Sequence, residues 1–205
     1  MHPFQSPLMK SLSEHLLRHA PVSIWRKVFL NGESGIRFER RVQTLLHARA
    51  LGPGWELAEV ELLAGRFEGR AEVFGKGEAL LSFDHPLNAL RAALLMQRVG
   101  ADTGARGGLA TGQCNIAHFQ LDGKACQVAL PPEASRAEER ALRAPPGTIV
   151  IGADTCELVA PFLADEVRDG LITTECEGER VTQVCITLAP HASADLSTFA
   201  GIGMT

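Results

Sequence analysis

Arg66 to Phe83, RFEGRAEVFGKGEALLSF, is the stretch whose reading decides the fold. Two runs of strand character, GRAEVF and EALLSF, meet at Gly75-Lys76-Gly77, where glycine supplies the positive φ angles a tight turn requires. A β-hairpin is expected here. Directly after it, Asp84 and Pro86 signal a helix start, and PLNALRAALLMQR sets Leu87, Leu90 and Leu94 on one side, with alanines that permit close packing on a sheet.

Upstream, VSIWRKVFL (residues 22–30) places Val22, Ile24, Val28 and Leu30 on one face of an extended chain, which predicts the first strand of the sheet, ending at the turn signal Asn31-Gly32. In RFERRVQTLLHARAL the residues Phe38, Val42, Leu45 and Leu46 recur at helical spacing, so a helix is expected from Phe38 to about Leu51, stopped by Gly52-Pro53-Gly54. A shorter helix is expected from Glu56 to Leu63. Before all of these, SLSEHLLRHA (residues 11–20) reads as a helix with Ser11 and Glu14 as a capping pair and Leu12, Leu16 and Leu17 as its apolar stripe.

Downstream, Arg106 to Gln120 reads as a strand with early glycines, followed by a turn, QLDGK. A polar helix from Glu133 to Arg143 is bounded by Pro131-Pro132 and Pro145-Pro146-Gly147. Thr148 to Ile151 suits a short buried strand, and Asp154 with Glu157 caps a helix through Leu163. Two last strands, near Glu166 to Thr174 and Val181 to Leu188, flank Glu177-Gly178-Glu179, and a loose tail follows Pro190. The order is α+β, most simply a mainly antiparallel, ferredoxin-like sheet with helices packed on one face. The expected division is an N-terminal helical extension over residues 1–20, one domain over 21–188, and a flexible tail over 189–205.

With 205 residues, 45% hydrophobic and 21% charged, the chain can bury one core and is too short for two ordinary domains. A net charge of −4 without a basic patch argues against nucleic acid or an anionic membrane as partner. No apolar run has the length of a membrane span and MHPFQSPLMK lacks a secretory pattern, so a cytoplasmic location is expected. Five scattered cysteines without a CxxC pair signal neither a zinc site nor a disulfide framework, and the seven histidines show no metal-binding spacing.

Three blocks resemble the class III nucleotidyl cyclases, the adenylate and guanylate cyclase catalytic domains. FGKGEALLSFDHPLNALRAALLMQ is similar to the family's Gly-Asp-Gly hairpin and alanine-rich helix. GGLATGQCN is similar to its Gly-x-x-x-Gly strand, and RAEERALRAPPGTIVIGADTCELV to its catalytic helix, Pro-Gly turn, strand and next helix. The resemblance spans roughly residues 22–188. It implies a ferredoxin-like domain that works as a dimer with active sites between subunits.

The family's reaction joins the ribose 3′-oxygen to the α-phosphate of a nucleoside triphosphate, and needs two magnesium ions held by carboxylates. The resemblance puts one aspartate at the end of the first strand and one at the hairpin tip. Here those positions read as Asn31 and Lys76, so the two-metal site is expected to be absent; Glu33 reaches the first position only by a register shift. The base-reading position falls on Glu72, nominally guanine-like, and its companion near Ala129. On the catalytic helix the ribose Asn corresponds to Arg136 and the transition-state Arg to Arg140, while the phosphate-binding Lys of the last hairpin corresponds to about Glu175. Plainer readings stand beside these: Glu72 as a charge on the wet face of a strand, and Arg136, Arg140 and Arg143 as a solvated helix face.

The expected function is a catalytically inactive cyclase-homology domain, dimerising and regulatory, with a signalling partner. An alternative is a metal-independent nucleotide or anion sensor whose pocket joins Glu72, Lys76, Arg136 and Arg140. A third is a divergent active cyclase using Glu33, Glu72 or Glu78, against which the charge of Lys76 counts.

Overall fold

The computed structural model describes residues 6–30, 35–75, 77–162, 171–176 and 179–184. Its centre is β1, Arg37–Arg49 (13 residues). That strand is followed by α3 (Leu57–Arg66), β2 (Gly69–Gly75), β3 (Glu78–Phe83), α4 (Pro86–Val99) and β4 (Arg106–Leu121). Spatially the strands run β2-β3-β1-β4, and the three pairings among them are antiparallel. This βαββαβ order with β1 inside is the ferredoxin-like unit, as expected.

The sheet continues past β4 through β6 (Ile149–Gly152), parallel to β4, then β8 (Glu179–Val184) and β7 (Leu171–Cys176). The far half of β4 pairs instead with β5 (Lys124–Ala129), forming a long hairpin turned at Asp122-Gly123. Helices α5 (Glu133–Arg143) and α6 (Ala153–Val159) complete this half.

Two expectations are corrected, and they exchange places. Val22–Leu30 is a helix, α2, and the first strand is Arg37–Arg49 where a helix was expected. The cause is the same in both: a short apolar run satisfies either period. In β1 the residues from Gln43 to Ala48 are all buried, because a central strand is covered on both faces, and its apolar run therefore loses the alternation of a half-exposed strand. In α2 the residues Ile24, Trp25, Val28 and Phe29 form the inward stripe instead.

Helices cover both faces of the sheet, another departure. Leu46 and Leu109 face one way into a core with Val60, Leu90, Ala93 and Met96 of α3 and α4. Their neighbours Leu45 and Ala110 face the other way, against Ala134 and Ala137 of α5. The approach of α5 is close because β4 offers Gly108 and Gly112 there: a Cβ at Gly108 would collide with the backbone of Ala137 and Ala141, and one at Gly112 with the Glu133 side chain. The Gly-x-x-x-Gly spacing is thus a seat for a helix.

A third cluster holds the N-terminal helices to the β4–β5 hairpin. Leu12 and Leu16 of α1 (Pro7–His19) and Val28 of α2 pack on Ala117, Phe119 and Val128 of the β4–β5 hairpin. Trp25 Nε1 donates to Ser13 Oγ at 2.8 Å, and Lys27 Nζ reaches the Asp122 carboxylate at 2.7 and 2.8 Å. The helical extension therefore runs to Leu30 rather than to residue 20.

Candidate functional site

The end of β1 and the hairpin tip are fastened together. The Leu51 N–H donates to the Gly77 carbonyl at 3.0 Å, and Gly77 has φ +74°, the left-handed conformation the turn demands. On the face shared with α1, β1 turns His47 and Arg49 toward β3, where Glu78 meets both. Arg49 Nη2 lies 2.5 Å from Glu78 Oε1, and His47 Nε2 lies 3.4 Å from Glu78 Oε2.

Above this trio is a cavity of about 960 Å³. Its floor is His47, Arg49, Glu78 and Leu80, one wall is Ser135 and Glu138 of α5, and its roof is the last turns of α1, carrying His15, Arg18 and His19. Arg18 Nη1 crosses to Glu138 Oε2 at 3.4 Å. Burial lowers the His47 pKa, against the raising influence of Glu78, and lowers that of His19 as well. His15 falls to about 3, first through burial, then through His19, Arg18 and His47. The imidazoles are consequently neutral near pH 7.

The sequence-predicted positions fall in several places. Asn31 lies outside the described residues, and the segment before it, expected as the first strand, is the helix α2. The end of the first strand is Arg49. Lys76 and Glu33 also lie outside the described residues. Arg140 is buried and donates through Nη1 to the Leu109 carbonyl at 2.6 Å, with its guanidinium packed where a Cβ of Gly152 would be. It does not line the cavity. Arg136 is exposed and pairs with Glu133 at 3.1 Å. The helix instead turns Ser135 and Glu138 toward the cavity, and Glu72, Arg136 and Arg140 are not among the residues that line it.

Glu72 and Ala129, expected as a pair, are brought together. A β-bulge between Ala71 and Val73 re-aims Glu72, whose Oε2 accepts from the Ala129 N–H at 2.5 Å and Oε1 from Gln127 Nε2 at 3.3 Å. Burial raises this carboxyl's pKa, opposed by those hydrogen bonds. Glu72 is thus drawn into the protein rather than left on a wet face, and its acceptors are engaged by the chain's own donors. The phosphate-Lys counterpart, Glu175, stands in β7 opposite Arg180 of β8.

Sequence reasoning missed His15, His19, His47, Arg49 and Glu138. His47 and Arg49 were hidden by the helical reading of β1; read as a strand, Leu45, His47 and Arg49 share one face, and that alternation was the available signal. The described cysteines, Cys114, Cys126 and Cys156, are free thiols, and burial with the nearby Glu133 and Glu72 pushes Cys114 up to about 12. Among the described residues no three His, Cys, Asp or Glu side chains are arranged to hold a metal ion, and no helix is long and apolar enough to cross a membrane.

Comparison with solved structures gives class III cyclase domains as similar folds. The adenylyl cyclase CyaB of P. aeruginosa matches with TM-score 0.56 and 16% identity over 74% of this chain and 97% of that one. An adenylate/guanylate cyclase/hydrolase from Silicibacter pomeroyi matches with TM-score 0.52 and 18% identity over 73% and 99%. The non-canonical dimeric guanylyl cyclase domain of a rhodopsin-type fusion protein (RhoGC) from Blastocladiella emersonii matches with TM-score 0.58 and 11% identity over 72% and 96%. At such identities the likeness concerns the fold. No protein-family model matches the chain, and no curated protein matches it in sequence.

Proposed function

We propose that this chain is a cyclase-homology module that does not cyclise nucleoside triphosphates and acts as a dimerising, regulatory unit in signalling. The observation that carries this is the Arg49–Glu78 ion pair. At the end of β1, where the resemblance requires a metal-binding carboxylate, stands a guanidinium, and the nearest carboxylate across the hairpin is already shared between Arg49 and His47. A dication placed there would face Arg49 and compete with it for Glu78, and the lysine at position 76 adds a further cation in sequence. The residues present do not fit a two-magnesium centre. Purified protein incubated with ATP or GTP and magnesium or manganese is expected to release no cyclic nucleotide above background. Turnover abolished by Glu78→Gln would overturn the proposal in favour of the divergent enzyme.

The cavity supports a second reading, a sensor that binds a nucleotide or another anion without turning it over, with Arg49 and Lys76 as its cations in place of Arg140. A nucleotide added in EDTA is then expected to raise the melting temperature, and Lys76→Asp to cancel the rise. A purely scaffolding module shows no shift in either protein.

A further inference from the structure

We propose that α1 is an acid-released cover of the cavity: protonation of His15 and His19 on its inner side lifts the end of the helix and opens the space above His47 and Arg49. The proposal rests on where α1 lies and is independent of what the cavity binds. His15 is 8% exposed, lines the cavity, and its Nε2 has no hydrogen-bond partner among the described residues. His19 follows one turn later, its ring centroid 4.6 Å from that of His15. A buried nitrogen without a partner is a cost the closed form carries and the open form relieves.

Among the described residues the carboxylates around a new imidazolium are already engaged, and Glu138 and Glu78 favour a proton on His19 less than burial opposes it. From α1 itself come Arg18 and Glu14, and Glu14 is paired with Lys10. From β1 come His47 and Arg49; from β3, Glu78, which both of them share. From α5 comes Glu138, held by Arg18. Adding a proton at His15 therefore places a cation beside Arg18, His19 and His47 in a desolvated space, the same influences that hold its pKa down. An exposed imidazole titrates near its ordinary value, so protons bind the open form more tightly and favour it.

The attachment of α1 is uneven. Its middle is buried through Leu12 and Leu16 on the β4–β5 hairpin, and α2 is tied to the same hairpin through Lys27 and Asp122. The last turn is joined to α5 by Arg18–Glu138, a pair whose Arg is two-thirds exposed and contributes little. Opening at the histidines draws Leu16 out of the cluster, while Leu12 and the Lys27–Asp122 pair keep the helices attached.

Hydrogen exchange read by mass spectrometry on the full chain, corrected for the intrinsic pH dependence, tests this. Between pH 7.5 and 5.5 the protection of α1 is expected to fall at least about tenfold while staying below that of β4 at both pH values, the change for one group of ordinary pKa near 6.5 that stays unprotonated when closed. His15→Leu is expected to remove most of that fall, and His15→Gln gives the same comparison if the leucine variant does not fold. Unchanged α1 protection in the unaltered protein, α1 protection equal to that of β4 at both pH values, or an undiminished fall in either variant, overturns the proposal.

Discussion

At the scale of single residues, the glycines of β4 decide more than the charges. Gly108 lies under the backbone of Ala137 and Ala141, and neither can yield as the end of a flexible side chain could. Gly108→Ala is therefore expected to cost about 2 kcal/mol, the range of overpacking a tight core, as a lower urea midpoint with an unchanged denaturant slope. An unchanged midpoint would mean that α5 stands further from the sheet than described. The pairing of Glu72 with Ala129 is a different kind of residue effect. The resemblance to the cyclases brought the two together in the sequence reading, but only the bulge at Glu72 explains how a carboxylate inside a strand reaches a backbone N–H on β5.

At the scale of elements, the hairpin, the alanine-rich α4, the glycine-bearing β4 and the polar α5 were legible, because each carries a turn, cap or period that permits one reading. The exchange of strand and helix between residues 22 and 49 was not. Nothing in VSIWRKVFL distinguishes an inward helical stripe from an alternating strand until Phe119 and Val128 are there to receive it. That exchange carried the site with it: once β1 is Arg37–Arg49, the position at its end passes from Asn31 to Arg49. The packing that settles α1 and α2 also predicts their stability. Leu12 is fully buried in the cluster on the β4–β5 hairpin, and Leu12→Ala is expected to cost about 2–5 kcal/mol. The loss should appear first as a change in Trp25 fluorescence, since Trp25 is bonded to Ser13 on α1. Coincident loss of all signals would instead make these helices part of one cooperative unit with the sheet.

Across the whole molecule, the buried titratable groups set a pH dependence. His15, His19 and His47 have lowered pKa values, so the folded chain binds fewer protons than the unfolded one, and stability is lost as pH falls below about 6.5. Glu72 works in the opposite sense, its raised pKa favouring the fold at low pH and less so as pH rises above the ordinary carboxyl range. With three imidazoles against one carboxyl, the unfolding free energy from urea titration is expected to be higher at pH 7.5 than at pH 5.0, by about 2 kcal/mol from His15 alone. A higher value at pH 5.0 would mean that these imidazoles are solvated.

The seat of α5 on β4 has one more consequence. Ala134, Ala137 and Ala141 are buried on the side of α5 that faces β4, and a Cβ at Gly108 would find no room beneath Ala137 and Ala141. The helix can neither roll nor slide by one residue without pulling Arg140 from the Leu109 carbonyl and Glu133 from its place against Gly112. Its angular setting is locked like a key in its slot, and so is the choice of Ser135 and Glu138, rather than Arg136 and Arg140, as the side chains shown to the cavity.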